Sequence, residues 1–84
     1  MSVDVSRFLS VFVRPTTSVE AAKRLGVSQM AVLRRLKRYE EKGLVRRGLK
    51  TRTHFVGYYW ELTPEGRRLH DMIAKGRLKN LRRL

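Results

Sequence analysis

TSVEAAKRLGVSQMAVLRRLKRYEEKGLV, residues 17 to 45, reads as two short helices joined by one tight turn, and the rest of the chain is arranged around it. Val19, Ala22 and Leu25 recur every three residues and predict one inward-packing helical face. Thr17 and Glu20 have the spacing of a capping box. Gly26 stands where a helix ends on a left-handed residue, and Val27 follows as an apolar plug between the helices. Ser28 then caps a second helix, in which Val32, Leu36 and Tyr39 form a stripe to be buried against the first. The opposite face is centred on Met30, Arg34, Lys37, Arg38 and Glu41. Three cations on an exposed helix suit an element that enters a nucleic-acid groove, although a solvated helix face has the same composition. The turn weighs toward the first: the order Ala22, Gly26, Val27, Val32, Leu36 lets two helices cross closely at a steep angle.

With that turn, the stretch resembles the helix-turn-helix of the winged-helix DNA-binding proteins, particularly the MarR-like, ArsR-like and PadR-like transcription regulators. The resemblance extends over residues 5 to about 75. It implies an α+β fold, a winged helix-turn-helix with a three-helix core, a β-hairpin wing and a C-terminal helix.

The remaining segments can be read on their own residues. In DVSRFLSVFV, residues 4 to 13, Val5, Phe8, Leu9 and Phe12 fall at helical spacing and Asp4 suits the cap, so a core helix is expected, ended by Arg14-Pro15. After Gly43 the period shortens. Leu44 to Arg47 and Phe55 to Leu62 read as two strands joined by GLKTRTH, residues 48 to 54. In the second strand Tyr58, Trp60 and Leu62 should face the core and Tyr59 and Glu61 should face away. This hairpin is similar to the wing, and LTPEGRRL, residues 62 to 69, to the entry into the last helix. Thr63 caps that helix, Pro64 opens it, and Leu69, Met72 and Ile73 give it an apolar face. Gly76 breaks it. The expected division is a domain over 1–76 and a basic tail over 77–84 with Leu78, Leu81 and Leu84.

Composition narrows the partner. The 84 residues hold 20 Lys and Arg against 7 Asp and Glu, a formal net charge of +13, and nucleic acid is the polyanion such a field attracts most readily. Ribosomal proteins and membrane-surface peptides share that charge. The chain has no cysteine, which excludes disulfides and thiolate metal sites, and no apolar run long enough to span a membrane, so an intracellular, DNA-associated protein is expected. Gln29 and Asn80 are the only side-chain amides, a bias compatible with a thermophilic source. The scattered acids, with Glu40 and Glu41 adjacent and facing apart, supply no catalytic constellation; an enzyme is not expected, nor a cofactor or metal.

By resemblance, the helix over 28–42 enters the major groove and the wing over 46–55 meets the backbone or minor groove. Gln29 can pair in bidentate fashion with adenine and Arg34 with guanine, while Met30 and Leu33 can meet thymine methyls. The alternatives are that Gln29 only completes the helix cap and that Met30 and Leu33 pack on protein. Ser28, Lys37, Arg38, Arg46, Lys50, Thr51 and Arg52 are assigned to phosphates, and Arg47 belongs to the same DNA-binding set. His54 reads as a polar strand-end residue. Arg35 departs from the family pattern, which has a small or apolar residue there; its stem is expected to run along the core with its head in solvent. The chain lacks the long extra helices through which MarR-like proteins dimerise, and nothing points to a small-molecule effector. Apolar residues left over in the first and last helices, Val3, Val11 and Val13 with Leu69, Met72 and Ile73, predict a homodimer on double-stranded DNA. Two other readings stay open: a sequence-indifferent chromatin or RNA-binding module, and a winged helix used for protein contact in a larger assembly.

Overall fold

Asp4 starts the first helix by accepting the Arg7 backbone N–H at 2.8 Å, and α1 runs Val5–Val11. A computed structural model describes residues 3–50 and 57–76, apart from the side chains of Leu49 and Lys50. The order of elements is α1, α2 (Ser18–Leu25), α3 (Gln29–Glu41), β1 (Val45–Lys50), β2 (Tyr58–Leu62) and α4 (Pro64–Ala74), the α+β winged-helix arrangement expected from the sequence.

The first helix stops before Pro15 can act on it. Its cap is Phe12, whose carbonyl accepts the Leu62 N–H at 3.1 Å, and Thr16 then exchanges two backbone bonds with Trp60, at 2.9 and 2.8 Å. Tertiary pairing therefore draws residues 12 to 16 out of helical geometry and sets them along the free side of the hairpin. The Thr16 hydroxyl fixes this turn by reaching the carbonyls of Val11 (3.0 Å) and Arg14 (2.9 Å).

At α2, Thr17 accepts the Glu20 N–H at 3.2 Å, but Glu20 does not complete the box; its carboxylate faces Arg24 at 3.4 Å, one turn on. The buried residues are Ser18, Ala21, Ala22 and Leu25, with Val19 only half-buried. The expected spacing of three drifts around a helix of 3.6 residues per turn, whereas 18, 21, 22, 25 keeps to one face. Gly26 ends the helix at φ 68°, the left-handed geometry that the turn requires, and the Val27 N–H returns to the Ala22 carbonyl at 3.1 Å. Ser28 caps α3 through the Ala31 N–H at 3.1 Å. Val32, Leu36 and Tyr39 are buried as expected, and Tyr39 meets Phe8 edge-on with ring centres 5.2 Å apart.

β1 and β2 pair antiparallel, with Val45 opposite Leu62, Arg46 opposite Glu61 and Arg47 opposite Trp60. The register slips between Arg47 and Lys50, so β1 carries an extra residue there and extends three residues beyond the expected end at Arg47. Trp60 and Leu62 are buried, Tyr58 is half-buried and Tyr59 is exposed, which bears out the alternation. Residues 55 and 56 of the expected second strand, His54 and the tail 77–84 lie outside the described residues.

Thr63 caps α4 through the Gly66 N–H at 3.1 Å and also donates its hydroxyl to the Gly43 carbonyl. Gly66 is required by packing: a Cβ built on it would lie 2.0 Å from the Leu44 carbonyl oxygen. Only a residue without a side chain lets α4 cross the entry to β1 at this distance. The apolar surplus expected on α1 and α4 is mostly absorbed. Val3 and Ile73 are buried, Val11, Val13 and Leu69 are half-buried against the core, and Met72 is half-buried too. No helix among the described residues is long and apolar enough to cross a membrane.

Candidate nucleic-acid interface

Because Val32, Leu36 and Tyr39 face the core, the helical period turns Met30, Arg34, Lys37, Arg38 and Glu41 outward together, and all five are exposed. Met30 keeps 60% of its surface open, an unusual exposure for so large an apolar side chain in a small domain. Arg34, Lys37 and Arg38 have no ion-pair partner among the described residues. Their charge is thus left to attract an outside anion. Leu33 is partly buried against the core, so its apolar surface is less available than that of Met30.

Two candidates at the start of α3 are already engaged. Ser28 uses its hydroxyl as the cap, and the Gln29 side-chain nitrogen donates to the Ser18 hydroxyl at 3.1 Å. Gln29 is exposed, and its amide ties the start of α3 to the start of α2 and does not take part in the α3 cap, which Ser28 makes.

The hairpin cations are less free than a charge count suggests. Arg46 lies 3.0 Å from Glu61 across the strand pair. Arg47 lies 3.1 Å from Glu40 and stacks on Tyr58 and Trp60, with 5.4 and 5.2 Å to the ring centres. Both arginines keep a large part of their side chains exposed, 59% and 43%, so a phosphate can still compete for them. The Lys50 side chain, Thr51 and Arg52 lie outside the described residues.

Arg35 corrects its expectation. Its head is held by the protein and not left free in solvent: Nε donates to the Tyr39 hydroxyl at 2.9 Å, a second nitrogen donates to the Val3 carbonyl, and the guanidinium lies 4.8 Å from the Phe8 ring centre. Hydrogen bonds and aromatic faces together hold the charge at a partly buried position. Sequence reasoning missed Arg35 and Ser18 as fixing residues, because the Val3 carbonyl and Phe8 ring that hold Arg35, and the Gln29 amide that meets Ser18, come from other elements that no local period marks. Among the described residues no group of three or more His, Asp or Glu side chains could hold a metal ion.

The family model described as winged helix-turn-helix DNA-binding matches residues 14–46, from the end of the α1 turn through α2 and α3 into β1. No curated protein sequence matches the chain. Among solved structures, FabT of Streptococcus pneumoniae in complex with DNA is similar at a TM-score of 0.76 and 22% identity, over 92% of this chain and 55% of that one. Apo MarR from E. coli has a TM-score of 0.74 and 27% identity, over 84% of this chain and 53% of its own. The MepR–DNA complex of S. aureus has a TM-score of 0.75 and 19% identity, over 89% and 63%. The chain spans little more than half the length of these structures. With α2, the turn at Gly26, α3 and the hairpin in this order, the chain has the winged helix-turn-helix fold of these MarR-like structures.

Proposed function

We propose that the protein binds double-stranded DNA with sequence preference and acts as a transcription regulator, with α3 in the major groove and the hairpin on the adjacent backbone or minor groove. The observation that carries this reading is the outer face of α3, where Arg34, Lys37 and Arg38 are exposed without ion-pair partners among the described residues, beside the exposed Met30. FabT and MepR, of similar fold, are both known as DNA complexes. A binding function, not a catalytic one, is what this surface supports.

In this reading Arg34 and Gln29 face base edges, Met30 and secondarily Leu33 face thymine methyls, and Ser28, Lys37 and Arg38 meet phosphates. Arg46 and Arg47 join the phosphate contacts by exchanging Glu61 and Glu40 for DNA, and Lys50, Thr51 and Arg52 continue the same track. If about six phosphates are neutralised, log K falls with log salt at a slope near −5. Equilibrium titration across a salt series tests this, and a slope shallower than about −2 contradicts a phosphate-tracking surface.

The homodimer belongs to the same proposal on a narrower footing, since Val3 and Ile73 are buried and Val11, Val13, Leu69 and Met72 are left only partly exposed at α1 and α4. Two copies related by a two-fold axis favour an inverted repeat with half-site centres about 10 base pairs apart, or a multiple of that. Each copy carries +13, so association of the free protein should strengthen as salt screens the repulsion. Sedimentation over a salt series checks it; a monomer at every salt and concentration, bound singly to an asymmetric site, contradicts it.

A further inference from the structure

Ser18 and Gln29 are each the first residue of a helix, one on α2 and one on α3, and they meet across the turn. Gln29 Nε2 donates to Ser18 Oγ at 3.1 Å. Ser18 is 8% exposed, so its hydroxyl is held in the interior wall, while Gln29 is exposed at the end of α3 from which side chains reach base edges. A glutamine amide has two N–H donors and one carbonyl acceptor. Ser18 takes one donor. With the hydrogen trans to Oε1 on Ser18, the cis N–H and Oε1 form the fork that pairs with N7 and the 6-amino group of adenine, and adenine reading requires that arrangement.

We propose that Ser18 is a positioning residue for base readout, holding the Gln29 amide as a preformed adenine-reading fork. The inference rests on the DNA-binding reading above, which pairs Gln29 with adenine, and goes beyond it by naming a second, buried residue that enforces the selection without touching DNA. Without Ser18 the Gln29 amide turns about three side-chain bonds, and ordering it on binding costs affinity at one base pair only. No other amide on a described element can replace it: Gln29 and Asn80 are the only two in the chain.

The test uses the full chain and the duplex it selects from a random pool. Binding of wild type, Ser18→Ala, Gln29→Ala and the double variant is measured on that duplex, on random duplex and on copies in which 7-deazaadenine replaces one adenine at a time. The expected result is one adenine at which the analogue weakens wild type but not Gln29→Ala. Ser18→Ala then loses about two- to tenfold on the selected duplex, nothing on random duplex, and the double variant loses no more than Gln29→Ala. A merely structural role for Ser18 would weaken all sequences alike and lower the unfolding midpoint; that outcome, or an unchanged preference in Ser18→Ala, overturns the proposal. Absence of any adenine that depends on Gln29 overturns it while leaving sequence-specific binding intact. If wild type selects no sequence at all, the DNA-binding reading fails with it, so the two failures are distinguishable.

Discussion

Arg35 and Phe8 lie 4.8 Å apart, guanidinium carbon to ring centre, and this contact joins α3 to α1 through a cation placed in the middle of α3. The same guanidinium is hydrogen-bonded to the Tyr39 hydroxyl and the Val3 carbonyl. One of the five cations between residues 28 and 43 therefore serves the fold and does not belong to the exposed face of α3.

Arg35→Ala removes the stacked stem and leaves the Tyr39 hydroxyl and Val3 carbonyl without this donor. Stability should fall by about 1–3 kcal/mol, read as a lower urea midpoint with unchanged slope. Base preference should be unaltered in the folded fraction. A change in selected sequence would show that Arg35 faces DNA.

Gly66→Ala should destabilise more than any surface change. The Leu44 carbonyl oxygen, 2.0 Å from the added Cβ, is backbone and cannot rotate away, so α4 or the start of β1 must move. A loss of more than about 2 kcal/mol is expected in urea unfolding. A loss below about 0.5 kcal/mol would mean that the α4 crossing is looser than described.

Glu40→Gln should strengthen DNA binding. It removes one negative charge beside the hairpin and frees Arg47, whose Nε lies 3.1 Å from it, so the salt slope should steepen by about one. The pair is partly exposed, and its loss should cost less than about 1 kcal/mol of stability. Weaker binding by Glu40→Gln would indicate that Arg47 contacts DNA only when Glu40 orients it.

Local chemistry was legible in the residues themselves. Asp4, Thr17, Ser28 and Thr63 each accept the backbone N–H that their position at a helix start predicts, and Gly26 takes the left-handed turn. The Val32, Leu36, Tyr39 stripe, and with it the outward face carrying Arg34, Lys37 and Arg38, followed from helical period alone. What stayed hidden depends on partners far along the chain. Phe12 leaves its helix because Leu62 pairs with it, Thr16 becomes strand because Trp60 is there, and Gly66 must be glycine because Leu44 passes underneath. At the interface the charges were legible but not their pairing: Arg46 with Glu61 and Arg47 with Glu40 depend on strand register and on the angle of α3 to the hairpin.

Groove reading by α3 is tested most directly by the ratio of affinities for a duplex selected from a random pool and for random duplex, at one fixed salt, in wild type and Arg34→Ala. Wild type should prefer the selected duplex by roughly a thousandfold. Arg34→Ala should lose about 1–3 kcal/mol on it and little on random DNA. Equal affinity of wild type for both duplexes, or an equal loss on both in Arg34→Ala, would contradict readout by this helix.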